Sequence, residues 1–304
     1  MPRIARVKNP VGVYHVMVRS ISDVPLFRDN KDKDKFMNLI KKYQHMYLFK
    51  VYSYCLMTTH GHIAIDCCGA DISKFMKSIN QCYAAYFNKR YKRHGHVFQD
   101  RFKSKLVEDD AGIIQLSVYI HNNPLDMKAY KDKIEKYKYS SLGVYLNLHK
   151  DELGILDTTF VLQLFSNIIS KAKTSYLEYI NRTTSLGYKI DIEFKNEGTE
   201  SRNERKILIR NIPPKAIVDF IGKYKKEPFN IHVKYIQKNV EGRALSVLAL
   251  RCLCDFTMKD ICNFIGDITA SSVSNLCAKG YVLITENQKY KNLFDDLIEE
   301  YYAA

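Results

Sequence analysis

Val51-Tyr52-Ser53-Tyr54-Cys55-Leu56-Met57-Thr58-Thr59-His60-Gly61-His62-Ile63-Ala64-Ile65-Asp66 is the stretch on which the fold turns. Val51, Tyr52 and Tyr54 mark its first half and Ile63 and Ile65 its second, and the polar pair Thr58-Thr59 separates them. Such side chains suit a pleated, half-buried surface, and a short polar break between two such runs signals a turn between strands. Strands are therefore predicted over 49–56 and 60–67. On the N-terminal side, Val13 to Val18 alternates β-branched residues with Tyr14 and reads as another strand. Between them, Asp29 to Tyr47 carries Phe36, Leu39, Ile40 and Tyr43 at i, i+3, i+4, i+7, the repeat of one helix face. On the C-terminal side, Ile72 to Tyr91 does the same with Phe75, Ile79, Tyr83 and Tyr86. Ser104 to Val107 reads as a short fourth strand. Asp109-Asp110 offers an N-cap to a helix over 111–122, and Pro124 stops it. This order predicts an α+β fold, a ferredoxin-like antiparallel sheet with helices, over roughly residues 1–150.

Beyond it, 125–147 reads as irregular and Tyr-rich, and Thr158 to Asn181 as two short helices. Thr183 to Glu204 is polar, with Gly187 and Gly198, and reads as a linker. Residues 151–204 thus form a helical extension and linker. Residues 205–304 form an all-α domain, helical from Pro213 onward. Within it, Met258 to Ile265 reads as a short amphipathic helix and Gly266-Asp267-Ile268-Thr269 as a turn. Ala270 to Ala278 follows as a second helix exposing Ser271, Ser272, Ser274 and Asn275. That pattern predicts a DNA-binding helix-turn-helix, with an ordinary pair of bundle helices as the alternative.

The chain has 304 residues, 46% of them hydrophobic, and a formal net charge of +14. A real core can be buried, and the excess of Lys and Arg favours a polyanionic partner, because neutralised phosphates release condensed counterions. Solubility or an anionic membrane surface would use the same charge. No apolar run reaches the ~18–20 residues of a membrane span. Met1 to Asn9 lacks the apolar core of a signal peptide, so a cytoplasmic protein is expected. The eight cysteines show no CxxC spacing and read as reduced thiols.

His60 and His62 are two apart on one strand and so point to the same face. Gln115, Tyr119 and Asn123 are spaced by four and share one helix face. Two imidazoles and an amide oxygen could hold Mg²⁺ or Mn²⁺ with positions left for phosphate oxygens, and a phenol could attack there. Read by themselves, the histidines could be structural, and Tyr119, one of 22 tyrosines, a core residue. Tyr83, Tyr86, Lys89, Arg90, Tyr91, Lys92 and Arg93 form a basic and aromatic run suited to single-stranded DNA, or else a solvated helix end. Arg101 and Lys103 are further candidates for backbone contact.

Several segments occur in the order typical of one family. They are Pro2-Arg3; Tyr14-His15-Val16 and Arg19; Asp32 and Phe36; and Val51 to Met57 leading into His60-x-His62. Gly95-His96-Val97-Phe98-Gln99-Asp100-Arg101-Phe102-Lys103, Tyr119-Ile120-His121-Asn122-Asn123-Pro124, Tyr139-Ser140-Ser141 and Tyr145 follow. In these the first ~145 residues resemble the single-tyrosine HUH transposases, especially the REP-associated tyrosine transposases. The resemblance implies a DNA transposase acting on single-stranded DNA with hairpin or palindromic elements. It implies Tyr119 as nucleophile forming a 5′-phosphotyrosine, His60, His62 and Asn123 as metal ligands, and a monomer or homodimer. It gives Gln115 no role. Two features depart from the family. Gly61 replaces the usual bulky apolar residue between the histidines, a loss of packing worth ~1–3 kcal/mol if nothing fills the space. Thr58-Thr59 replaces the usual Pro-Asn. A weakened site would leave a sequence-specific DNA-binding regulator with an inactive nuclease domain. A replication initiator or relaxase would share the chemistry, but common relaxases place the tyrosine before the histidines. Arg243 to Val282 is similar to the helix-turn-helix of the DnaA C-terminal domain, with Arg251, Thr257, Ile261 and Gly266 in register but without its Arg-Asp-His-Thr signature. That similarity implies duplex or hairpin DNA binding and no particular base contacts.

Overall fold

The computed structural model describes residues 12–21, 24–107, 109–185, 210–226, 229–233, 239–254, 256–266 and 268–303. Pro2-Arg3, residues 186–204 of the expected linker and Asp267 lie outside the described residues. The chain divides into two compact units, Met1–Ile207 and Leu208–Ala304.

The first unit contains β1 (Val13–Arg19), α1 (Asn30–Tyr47), β2 (Lys50–Leu56), β3 (His60–Asp66), α2 (Ile72–Arg90), β4 (Lys103–Val107) and α3 (Asp110–Asn122). Each helix begins where a short acidic side chain can take up an orphan backbone donor. Asp29 accepts from Asp32 N–H at 3.1 Å, Asp71 from Ser73 N–H at 2.8 Å and Asp109 from Gly112 N–H at 2.7 Å. The strands hydrogen-bond in the order β2-β3-β1-β4, and every neighbouring pair is antiparallel, the order expected of a ferredoxin-like β-α-β-β-α-β chain.

The β1–β3 register decides what each face of the sheet carries. Arg19 opposes His60, Met17 opposes His62 and His15 opposes Ala64. Side chains alternate along a strand, so His15, Met17, Arg19, His60 and His62 share one face. Val16, Val18, Gly61, Ile63 and Ile65 share the other, where α1 and α2 cover them. There Phe27 packs edge-on to Phe36 at 5.3 Å and against Tyr83 at 5.6 Å, and Phe49 stacks on Phe75 at 4.3 Å. The histidine face is covered by α3.

After α3 the expected irregular region holds short 3-10 turns and α4 (Leu142–Tyr145), followed by α5 (Thr158–Gln163) and α6 (Ile169–Ser185). These segments cover the outer edge of β2, which would otherwise offer unpaired backbone groups. Leu56 N–H donates to Tyr139 O at 2.9 Å, Ser141 N–H to Tyr54 O at 2.9 Å and Asp157 N–H to Val51 O at 2.9 Å. The helices anticipated as an extension also enter the core. Tyr176 of α6 is fully buried, 2.6 Å from His121 Nδ1 and 3.0 Å from Ser117 Oγ on α3.

The second unit contains α7 (Pro214–Lys225), α8 (Asn239–Leu253), α9 (Met258–Ile265), α10 (Ala270–Glu286) and α11 (Leu293–Ala303). α8 is its axis, with Ala244, Leu245, Val247, Leu248, Leu250 and Leu253 all at 0% exposure. α10 runs beyond the predicted Ala278, because Gly280 lets its second half press onto α8. A Cβ at Gly280 would collide with the Ala244 carbonyl oxygen. Thr257 and Asp260 cap α9 reciprocally, and Thr269 caps α10 by accepting from Ser272 N–H at 3.2 Å.

His121 supplies a test of this core. Its imidazole is buried, and desolvation lowers its pKa from 6.5 to about 3. The unfolded chain therefore binds this proton first. Its contribution is complete above pH ~6.5 and is lost as pH falls toward ~3, at a limiting ~1.4 kcal/mol per pH unit. Denaturant titrations should show the stability advantage of wild type over His121→Asn shrinking from pH 7 to pH 5. An advantage that stayed constant would mean the imidazole titrates alike in both states.

Candidate active site

α3 lies across the histidine face of the sheet and brings Tyr119 to it. The phenol ring stands edge-on to His62, centroid to centroid 5.4 Å, and to His15 at 5.5 Å. The His60 and His62 rings are 5.0 Å apart. Asn123, one turn beyond Tyr119, donates its amide N–H to Tyr119 O at 2.9 Å and Ile120 O at 3.3 Å. The amide nitrogen is thereby committed to the end of α3. The Asn123 side chain also makes a hydrogen bond with His60 that favours protonated imidazole, as an acceptor oxygen does. Tyr119, Asn123, His60 and His62 thus come together, while Gln115 on the same helix is exposed.

His60 and His62 each have a neighbour within hydrogen-bond distance of Nδ1. His60 Nδ1 is 3.1 Å from Thr59 Oγ1, and His62 Nδ1 is 2.9 Å from His15 Nε2. Both histidines are held toward the neutral form. Burial lowers the His62 pKa well below 6.5, helped by His15 and His60, and burial lowers that of His60, with Asn123 opposing and Arg19 assisting. Burial and then Lys105 take His15 down to about 3. Strand parity puts Arg19, Lys103 and Lys105 on this face, so the site is rimmed with cations. His15 and Lys105 were not singled out from the sequence as site residues. The signal was the parity of β1 and β4, which becomes readable once the pairing register is known.

Among the described residues no three His, Cys, Asp or Glu side chains gather at ligand spacing. A cation here would rest on two imidazoles completed by the Asn123 amide.

The other expected DNA contacts divide. The Arg90 guanidinium is tied to Asp29 at 2.9 Å and to Tyr86 Oη at 3.0 Å, with Asp32 as a further partner. It clamps the end of α2 to the start of α1 rather than standing free in solvent. Arg93 is half-buried, with its guanidinium 5.7 Å from the Phe87 ring centre. Arg101 is exposed and lines a cleft of about 700 Å³, between Lys77 and Gln81 of α2 and the loop bearing Phe98 and Gln99. That loop is pinned beside the site: Gln99 N–H donates to Arg19 O at 3.0 Å, and Arg19 pairs with His60. Lys103 is exposed where β4 begins. In the second unit Ser271 and Asn275 are exposed on α10, and Ser272 Oγ is 3.0 Å from Thr269 Oγ1.

Residues 11–123 match the family model described as transposase IS200-like. A solved structure of a REP-associated tyrosine transposase bound to a REP hairpin is similar at 15% identity and a TM-score of 0.41. It covers 48% of this chain and 86% of its own. No curated protein matches the chain. Among the described residues no helix is long and apolar enough to cross a membrane.

Gly61 does not leave the void that its sequence position suggests. A Cβ built there would stand 2.8 Å from Leu56 Cδ2, 3.4 Å from Val18 Cγ2 and 3.7 Å from the Phe27 ring, so neighbours already fill the space. Gly61→Ala needs only the end of the Leu56 side chain to move. Gly61→Ile would overpack the layer behind the histidines and should cost ~1–3 kcal/mol, measurable as a lower denaturation midpoint. A stabilised Gly61→Ile protein would show that the layer is underpacked after all.

Proposed function

We propose that this protein is a single-tyrosine transposase that cuts and rejoins single-stranded DNA through Tyr119. The observation that carries the proposal is the meeting of Tyr119 with His60, His62 and Asn123 on one cation-rimmed sheet face. The residues fit a divalent cation, Mg²⁺ or Mn²⁺, because two neutral imidazoles and an amide oxygen offer lone pairs without a negative charge that would repel phosphate. His60, His62 and Asn123 would hold it, and when bound it polarises the phosphoryl group and favours the phenolate.

The chain's own groups carry the remaining work. Arg19, Lys103 and Lys105 attract the strand's phosphates, and the cleft beside Arg101 and Phe98 offers cations and a ring to an unpaired nucleotide. The Tyr119 oxygen gives up its proton and attacks phosphorus. The bond from phosphorus to the 3′-oxygen breaks, and that oxygen leaves as a hydroxyl after taking up a proton. The product is a 5′-phosphotyrosine, whose retained bond energy lets a second 3′-hydroxyl reverse the attack and join strands. The tyrosine faces the histidines of its own chain, which supports catalysis within one subunit. Single-stranded DNA with a hairpin is the substrate class the family resemblance implies. α9 and α10 serve as a helix-turn-helix for its folded part, with Ser271, Ser272 and Asn275 on the docking helix.

End-labelled, hairpin-flanked single strands incubated with protein and Mg²⁺ should give an adduct stable to denaturing detergent. Tyr119→Phe should remove it, and His62→Ala or chelator should prevent it while circular dichroism stays unchanged. An adduct surviving Tyr119→Phe would place the nucleophile elsewhere. In the full chain, Ser271→Glu with Asn275→Glu should weaken hairpin binding about tenfold or more, the ~1–3 kcal/mol typical of a lost contact. Unaltered affinity would remove α10 from the interface.

A further inference from the structure

His15 and His62 are diagonal neighbours across the β1–β3 ladder, since His62 opposes Met17 and His15 opposes Ala64. Diagonal residues on one face lie within reach of aromatic side chains, and His15 Nε2 is 2.9 Å from His62 Nδ1. Two neutral imidazoles share a hydrogen bond only when one nitrogen carries the proton and the other a lone pair. The contact therefore has two polarities with opposite consequences. With His15 donating, the His62 proton sits on Nε2, and neither His62 nitrogen has a lone pair left for a cation. With His62 Nδ1–H donating, its Nε2 keeps the lone pair.

We propose that His15 is a positioning residue, accepting a hydrogen bond from His62 Nδ1–H and thereby holding His62 in the tautomer whose Nε2 can ligate. The purpose of this tautomer rests on the metal-assisted reading above; the hydrogen-bond polarity itself does not. Three observations support it. His15 is at 0% exposure and His62 at 3%, so bulk water is not there to act as acceptor instead. The Tyr119 ring stands edge-on to both imidazoles and encloses the contact. Thr59 Oγ1 meets His60 at the same ring atom, Nδ1, so both candidate ligands spend the same nitrogen on an outer partner. A hydrogen bond of this kind fixes both ring orientation and tautomer of a ligating histidine. An imidazole does so without the negative charge a carboxylate would add beside an incoming phosphate.

Long-range ¹H–¹⁵N correlation spectra of the full, metal-free chain decide the polarity directly. The expected result is His62 protonated on Nδ1 and bare on Nε2. The reverse tautomer overturns the proposal whatever the metal does. Mn²⁺ titration by calorimetry then reads the purpose. His15→Leu should weaken Mn²⁺ binding about 10–100-fold, and His15→Gln, whose amide oxygen can still accept from His62, should recover most of it. Equal Mn²⁺ affinity in wild type, His15→Leu and His15→Gln overturns the positioning role. Wild-type protein that binds no Mn²⁺ while showing the expected tautomer would instead fail the metal-assisted reading and leave the hydrogen-bond assignment standing.

Discussion

The antiparallel register of β1 on β3 is the constraint on which everything else depends. Because side chains alternate, a slip of one residue would move His60 and His62 behind the sheet and bring Gly61 to the front. The register is held from the covered side. Val16, Val18, Ile63 and Ile65 are all at 0–1% exposure under α1 and α2. Burying these aliphatic side chains is worth on the order of 1.5–3 kcal/mol each relative to exposure, far more than any single contact on the histidine face. The candidate site is therefore positioned mainly by packing it does not touch. Gly61 belongs to that packing, since Leu56, Val18 and Phe27 occupy the space its missing side chain would take.

Burial also sets the chemical character of the site. An imidazole transferred out of water loses more as a cation than as a neutral ring. His15, His60 and His62 accordingly all have lowered pKa values, with desolvation the largest cause in each. The cationic rim of Arg19 and Lys105 pushes the same way, so the arrangement is self-consistent. Burial first, and the cations at the edge second, hold the histidines toward the neutral form.

Much of this was legible in the sequence, for identifiable reasons. The strands, α1 and α2 show period-2 or period-3.6 patterns, α3 is bracketed by Asp109-Asp110 and Pro124, and their bounds fall within a residue or so of the predicted ones. The shared face of His60 and His62 follows from spacing alone. What spacing does not give is which strand lies next to which. For that reason the approach of His15 to His62, a non-local contact between β1 and β3, carried no signal beyond the family motif around Tyr14 and Val16. Arg90 shows the converse limit. Its run of cations and rings suits DNA, yet Asp29 and Asp32 on α1 take up the guanidinium, and no local pattern reveals a partner some sixty residues away. In the second unit, the extent of α10 depended on Gly280 meeting α8, again a tertiary contact.

The helix that carries Tyr119 is anchored on its far side. α3 offers Tyr119 on one side and His121, two residues on, on the other. His121 is fixed from behind by Tyr176 Oη at 2.6 Å and Ser141 Oγ at 2.7 Å, and both partners come from segments beyond the family-matched stretch. Ser141 also donates its backbone N–H to Tyr54 O, on the strand that leads through Thr58-Thr59 into His60. One buried polar chain therefore runs from α6 through α3 to the edge of β2, and it links the tyrosine helix to the sheet that carries the histidines. Such buried networks rigidify when fully satisfied. The residues after α3 therefore brace the helix that carries Tyr119 against the strands that carry the histidines.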